Sequence, residues 1–117
     1  DAVKSLPRPV AGIIDAGCIS AGETLARDLV QLSDARLFGS RTAGASTSKR
    51  DWTFPSGVAT LSLPVRSRWG VDGQLIEFHG IAPHAEVEAV PEDLLHGRNT
   101  EILGAEQYIL AFGENGS

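Results

Sequence analysis

Residues 10–14, Val-Ala-Gly-Ile-Ile, form a short apolar run between Pro9 and Asp15, the pattern of a strand covered on both faces. The period then lengthens to that of a helix. From Ser20 to about Ser33, Leu25, Leu29 and Leu32 recur at i, i+4 and i+7 with Ala26 and Val30 beside them. Glu23, Arg27, Asp28 and Gln31 fall on the wet side of that helix. Ala35 to Gly39 is a second short strand, so strand, helix and strand predict a βαβ unit on a parallel sheet.

Beyond Gly44 the pattern changes again. Trp52-Thr-Phe54 and Val58 to Val65 flank Pro55-Ser-Gly57, a turn signal. Leu61, Leu63 and Val65 alternate with polar or small residues, the period of a half-buried strand, and Pro64 places it at an edge or on a bulge. Asp72-Gly73, between Trp69 and Leu75, predicts a tight hairpin turn. Pro91 to His96 reads as a short helix stopped by Gly97. Asn99 or Thr100 can cap a last helix carrying Ile102, Leu103, Ile109 and Leu110, with Gly113 to Ser117 as a polar tail. The class is α/β: a short βαβ unit, then β-hairpins, then C-terminal helices.

Composition narrows the function classes. A chain of 117 residues, 42% apolar and 21% charged, fits one globular domain or a piece of a larger one. A net charge of −5 argues against nucleic-acid partners, and Lys49-Arg50 with Arg41 nearby is too short a basic cluster to reverse that. Cys18 stands alone and cannot form an internal disulfide. No apolar run approaches the roughly 20 residues of a membrane span. The chain opens on Asp1 rather than Met, so its natural beginning is expected to have been removed or to lie upstream.

The chemistry concentrates in Asp15-Ala-Gly-Cys-Ile-Ser20-Ala-Gly-Glu23, which joins the first strand to the first helix. Open parallel sheets present functional groups at the carboxyl ends of their strands. A serine at the helix N-terminus sits beside free backbone N–H groups that favour negative charge, as an acyl-transfer nucleophile requires. The same spacing, Ser20 followed by Glu23, also spells a capping box, and spacing alone leaves both readings open.

The segment 15–23 resembles the nucleophile motif of the C-terminal-processing (tail-specific) serine peptidases, a family that includes the tricorn core peptidases and the interphotoreceptor retinoid-binding repeats. Further segments follow in that family's order: Gly39-Ser-Arg-Thr-Ala-Gly44, Phe54-Pro-Ser-Gly57, Glu77-Phe-His-Gly-Ile-Ala-Pro83, and Pro91-Glu-Asp93 through Gly97. The resemblance runs over about residues 8–111. It implies a ClpP/crotonase-like catalytic domain, residues 1–117 being its C-terminal part, with Ser20 as nucleophile and the Ala21 N–H as one oxyanion donor. It implies a polypeptide substrate, no metal and no cofactor, and for many bacterial members a place outside the cytoplasm, periplasmic or secreted.

The chain also departs from the bacterial pattern. Those peptidases carry a dyad lysine directly after the loop's Thr-x-Gly, a position held here by Ala45, and Lys49 lies four residues on. The tricorn-like branch lacks that lysine and uses a Ser-His-Ser-Glu arrangement. Its glutamate corresponds to Glu77, and its histidine and second serine are expected upstream. None of His79, His84 and His96 matches the base, and Cys18 reads as a small packed residue. The missing upstream segment of the same domain, or a second copy of the chain, is an expected partner. The rival reading is a non-catalytic ligand- or peptide-binding module on the same scaffold.

Overall fold

The computed structural model describes residues 8–115. Strand β1 (Ala11–Ile14), helix α1 (Ala21–Ser33) and strand β2 (Arg36–Gly39) form the expected unit. β1 and β2 run parallel, from Ala11 opposite Arg36 to Ile14 opposite Gly39. The chain then leaves the sheet for an antiparallel hairpin, β3 (Ser48–Thr53) and β4 (Thr60–Arg66), and returns as the two-residue β5 (Ala85–Glu86), parallel to β2. The sheet order is β1-β2-β5, which makes β2 central. Two helices close the described chain, α2 (Pro91–Leu95) and α3 (Thr100–Asn115).

Alternation along β2 decides what packs where. Leu37 is 1% exposed and clusters with Ile14 and Ala26, with Val30 and Ile81 against them. Its neighbour Phe38 points to the other face, where its ring lies 5.6 Å from that of Tyr108 on α3. The central strand is thus covered by α1 on one side and α3 on the other, the layering of an α/β fold. Asn99 caps α3 as expected, its Oδ1 accepting the Ile102 N–H at 3.0 Å. Gly97, at φ 70°, follows α2.

Four expectations need correction. β1 is an edge strand, and Ile13 stays 44% exposed rather than covered. On α1 two of the three stripe leucines face outward: Leu25 and Leu32 are each 60% exposed and Leu29 is half-buried, whereas Glu23, Ala26 and Ser33 are buried. The small Ala26 lets the helix sit close against Ile14 and Leu37. At 100° per residue this leaves the leucines roughly a third of a turn away. The hairpin strands keep their alternation, and the register shifts at Ser48/Lys49, next to the Lys49–Pro64 pair. Every residue of β3 and β4 is nevertheless exposed, so the half-buried face is bare. Lastly, α3 continues through Gly113 to Asn115 where a polar tail was expected; 116–117 lie outside the described residues.

The Asp72-Gly73 turn is present but joins a single bridge, Trp69 to Leu75, not two full strands. The Asp72 carboxylate accepts the Gln74 N–H at 3.0 Å there. Behind this turn, two loops are laid against each other. Thr42 N–H donates to the Ile81 carbonyl at 3.0 Å, and Phe78 N–H to the Gly44 carbonyl at 2.8 Å. The approach needs glycine on both sides. Gly44 and Gly80 have φ of 73° and 65°, and a Cβ on Gly80 would overlap the Thr42 carbonyl oxygen.

Gly57 has a similar φ of 68° but faces open space. Urea unfolding of the whole protein should therefore separate the two: Gly57→Ala should cost about 1–2 kcal/mol for the left-handed backbone alone, and Gly80→Ala at least about 2 kcal/mol more through backbone overlap. Equal costs would mean the two loops part easily.

Candidate active site

The turn between β1 and α1 is tied by its own first residue. Asp15 Oδ1 accepts the Gly17 N–H at 2.8 Å, and its carbonyl accepts the Cys18 N–H at 3.0 Å. Ser20, the residue before α1, is held at φ 51°, ψ −111°, a region L-residues rarely occupy. Such a conformation costs about 1–3 kcal/mol and must be imposed by surrounding bonds. Those bonds are present. Ser20 N–H donates to the Ala45 carbonyl at 2.9 Å, and the Ser20 carbonyl accepts the Thr24 N–H at 3.1 Å.

The capping box is not formed. An N-cap serine normally has extended backbone angles that aim its oxygen at the second or third helical N–H. Ser20 departs from them and makes no side-chain cap bond. Its hydroxyl is left to the cleft it borders, and the Ala21 N–H has no hydrogen-bond partner among the described residues. That cleft, about 410 Å³, is lined by Ser20, Ala21, Thr24, Ser46, Thr47 and Arg68 among others.

Glu23, expected on the wet face, is fully buried. Its Oε1 accepts the Thr42 hydroxyl at 2.6 Å and the Gly44 N–H at 2.7 Å, while Oε2 accepts the Ala45 N–H at 3.0 Å. One carboxylate therefore fixes loop 42–45 against the first turn of α1. Ala45 then supports Ser20 through its carbonyl, on the opposite side of the same residue. The position where the related dyad lysine is expected runs beside the nucleophile candidate and carries only a methyl group.

The next residue reaches Glu77. Ser46 N–H donates to Glu77 Oε2 at 2.9 Å. Glu77 is half-buried in the turn after Leu75, and Phe78 beside it has φ 67°. The Thr47 hydroxyl holds the Glu77 carboxyl below its ordinary range. The Ser46 and Thr47 amides and the Lys49 charge act in the same direction, against a smaller opposing effect of burial. Ser20 and Glu77 make no direct hydrogen bond; residues 45–46 connect them.

The other candidates lie elsewhere. His84 Nδ1 accepts the Leu37 N–H at 2.9 Å, and the rings of His79 and His96 each approach a local carbonyl, of Glu77 and Glu92. No histidine lines the Ser20 cleft, and neither does Lys49, which is exposed on β3. Burial first, then the charges of Glu23 and Asp15, push the Cys18 thiol up, away from the reactive thiolate. Among the described residues no group of three or more His, Cys, Asp or Glu side chains is placed to hold a metal, and no helix is long and apolar enough to cross a membrane.

The family model of peptidase family S41 matches residues 2–87. The chain belongs to peptidase family S41. A Chlamydia pneumoniae protein is 33% identical over 105 residues, 88% of this chain and 17% of that protein. Among solved structures, a candidate peptidase of Parabacteroides merdae has a TM-score of 0.77 at 29% identity, over 92% of this chain and 34% of that one. The tricorn protease has a TM-score of 0.67 at 24% identity, over 90% of this chain and 10% of its own. The chain thus spans 34% or less of each of these relatives. The ClpP/crotonase-like α/β fold and the C-terminal-processing, tricorn-like resemblance inferred from the motifs agree with these S41 matches.

Sequence reasoning missed Glu23, Ser46, Thr47 and Arg68 as parts of this candidate site. Glu23 was legible only as the fourth residue of a capping box. Ser46, Thr47 and Arg68 carried no sequence signal of their own.

Two outcomes follow. Glu23→Ala leaves two backbone N–H groups and a hydroxyl without their acceptor, and chemical denaturation should show a loss of at least about 3 kcal/mol. In a pH titration, the Glu77 side-chain carboxyl carbon should titrate below the model-peptide value of about 4.3. Because its folded pKa is depressed, its contribution to stability is complete above that unfolded value and is lost as pH falls through the folded one. A Glu77 midpoint at or above the model value would contradict the Thr47 and Ser46 bonds.

Proposed function

We propose that this chain is the nucleophile-bearing C-terminal part of a serine peptidase catalytic domain, and that it hydrolyses peptide bonds through an acyl-enzyme on Ser20. The observation that carries the reading is the strained strand-to-helix position of Ser20, with an unpartnered Ala21 N–H next to it in one cleft. A hydroxyl freed from helix capping is available for attack, and the adjacent N–H, unpartnered among the described residues, is free to serve an oxyanion.

The general base is supplied by a segment outside the described residues, among which neither a histidine nor a lysine borders the cleft. Glu77 is the carboxylate that orients that base, through an intervening serine, and its depressed pKa keeps it ionised at neutral pH. The bare Leu25 and Leu32 of α1, the exposed hairpin and a radius of gyration of 18.3 Å support a larger catalytic body, as a compact domain of this length would measure about 13 Å. Its substrates are polypeptides.

In the whole protein a fluorophosphonate probe should label Ser20, and Ser20→Ala should abolish turnover. Retained turnover would end the assignment. Lys49→Ala should leave kcat/KM within about threefold. Glu77→Gln should cost at least about a hundredfold if an oriented imidazole is the base. Activity should fall as pH drops through the histidine range, near 6.5, where the base becomes protonated. Sensitivity at Lys49 with indifference at Glu77 would point back to a Ser-Lys mechanism.

A further inference from the structure

The charges around the Ser20 cleft are not balanced. Among the described residues two charged side chains line it, Asp28 and Arg68. Asp28 already has its counter-ion: Arg27 Nε and Nη2 donate to its Oδ1 at 2.9 and 2.6 Å. Arg68 is partly buried and has neither an ion pair nor a side-chain hydrogen bond among the described residues. Its backbone is fixed, because its carbonyl accepts the N–H of the buried Ile76 at 2.9 Å.

A guanidinium is a fork of donors without an acceptor, matched to carboxylate geometry. We propose that Arg68 forms a subsite that selects a peptide carboxylate next to the bond cleaved at Ser20. The ligand is an acidic side chain near the scissile bond or the free C-terminal carboxylate of the polypeptide. This subsite rests on the reading of Ser20 as the reacting residue, and it adds the chemical class that the cleft prefers. Arg68 is a specificity residue here. It binds the substrate and takes no part in proton transfer.

The test uses the whole protein carrying Ser20→Ala, which prevents cleavage, and fluorescein-labelled peptides read by anisotropy. A position-scanning set places Asp or its neutral isostere Asn at each position, with the C-terminus free or amidated. Binding should favour the carboxylate over its amide partner at least tenfold at one position. A preference for Asp identifies a side chain as the source, and a preference for the free terminus identifies the chain end. Arg68→Gln should bring that ratio to about one, Arg68→Lys should retain part of it, and Arg68→Glu should shift preference toward Lys at the same position. A ratio below about twofold in the parent, or an unchanged ratio in Arg68→Gln, overturns the subsite. Fluorophosphonate labelling of Ser20 in the unsubstituted protein answers the separate question of the nucleophile, because binding preference requires no turnover.

Discussion

A carboxylate with no access to water is costly unless donors replace its hydration, and Glu23 has three of them, two from backbone and one from Thr42. Because Glu23 belongs to the first turn of α1 and its donors to loop 42–45, this one group fixes the distance between helix and loop. The rest follows through covalent neighbours. Thr42 passes the constraint to residue 81, whose N–H donates to the Thr42 hydroxyl at 2.7 Å. Ala45 passes it to Ser20, and Ser46 to Glu77. Strain at Ser20 is thereby held by bonds whose geometry does not depend on Ser20 itself, which is how an unfavourable backbone persists at a reactive site.

The same network explains why the site is ordered while much of the surface is apolar and bare. Polar bonds, not a large core, bring the loops together: the buried cluster next to α1 is only Ile14, Ala26 and Leu37, with Val30 and Ile81 beside it. Helix α1 carries two apolar sides and uses one. The hairpin carries Trp52, Leu61 and Leu63 with no layer over them. A chain spanning 34% or less of these relatives has room for such faces to be covered by other segments. The position of Ser20 relative to loop 42–45 is set locally either way.

Element types and boundaries were legible because they depend on local pattern. The switch from apolar run to 3.6-residue period gave β1 and α1 to within a residue, and Asn99 announced the start of α3. Burial was not legible, because it depends on what lies opposite. The leucine stripe of α1 scored as the core face by periodicity, yet the sheet took the side with the smaller Ala26. Glu23 scored as solvent-facing by residue type, and only the tertiary approach of loop 42–45 gives it donors. Ser20 and Glu77 were found by resemblance, whereas Ser46 and Arg68 carry no sequence signal apart from the cleft they share.

On the proposed reading of Ser20 as the nucleophile, position 45 shows how support for that residue and supply of its base can be separated. Both backbone groups of Ala45 are committed, the N–H to Glu23 and the carbonyl to Ser20, while its side chain is exposed. Whatever side chain occupies the position, both bonds use only the main-chain atoms of residue 45. A lysine there would add a base next to the serine without altering that support, and an alanine removes the base without loosening it. The nucleophile turn can therefore stay the same while the proton acceptor moves to another element. Once it has moved, a carboxylate is needed near the serine to orient it, and the next link of the same loop, Ser46, already holds one in place.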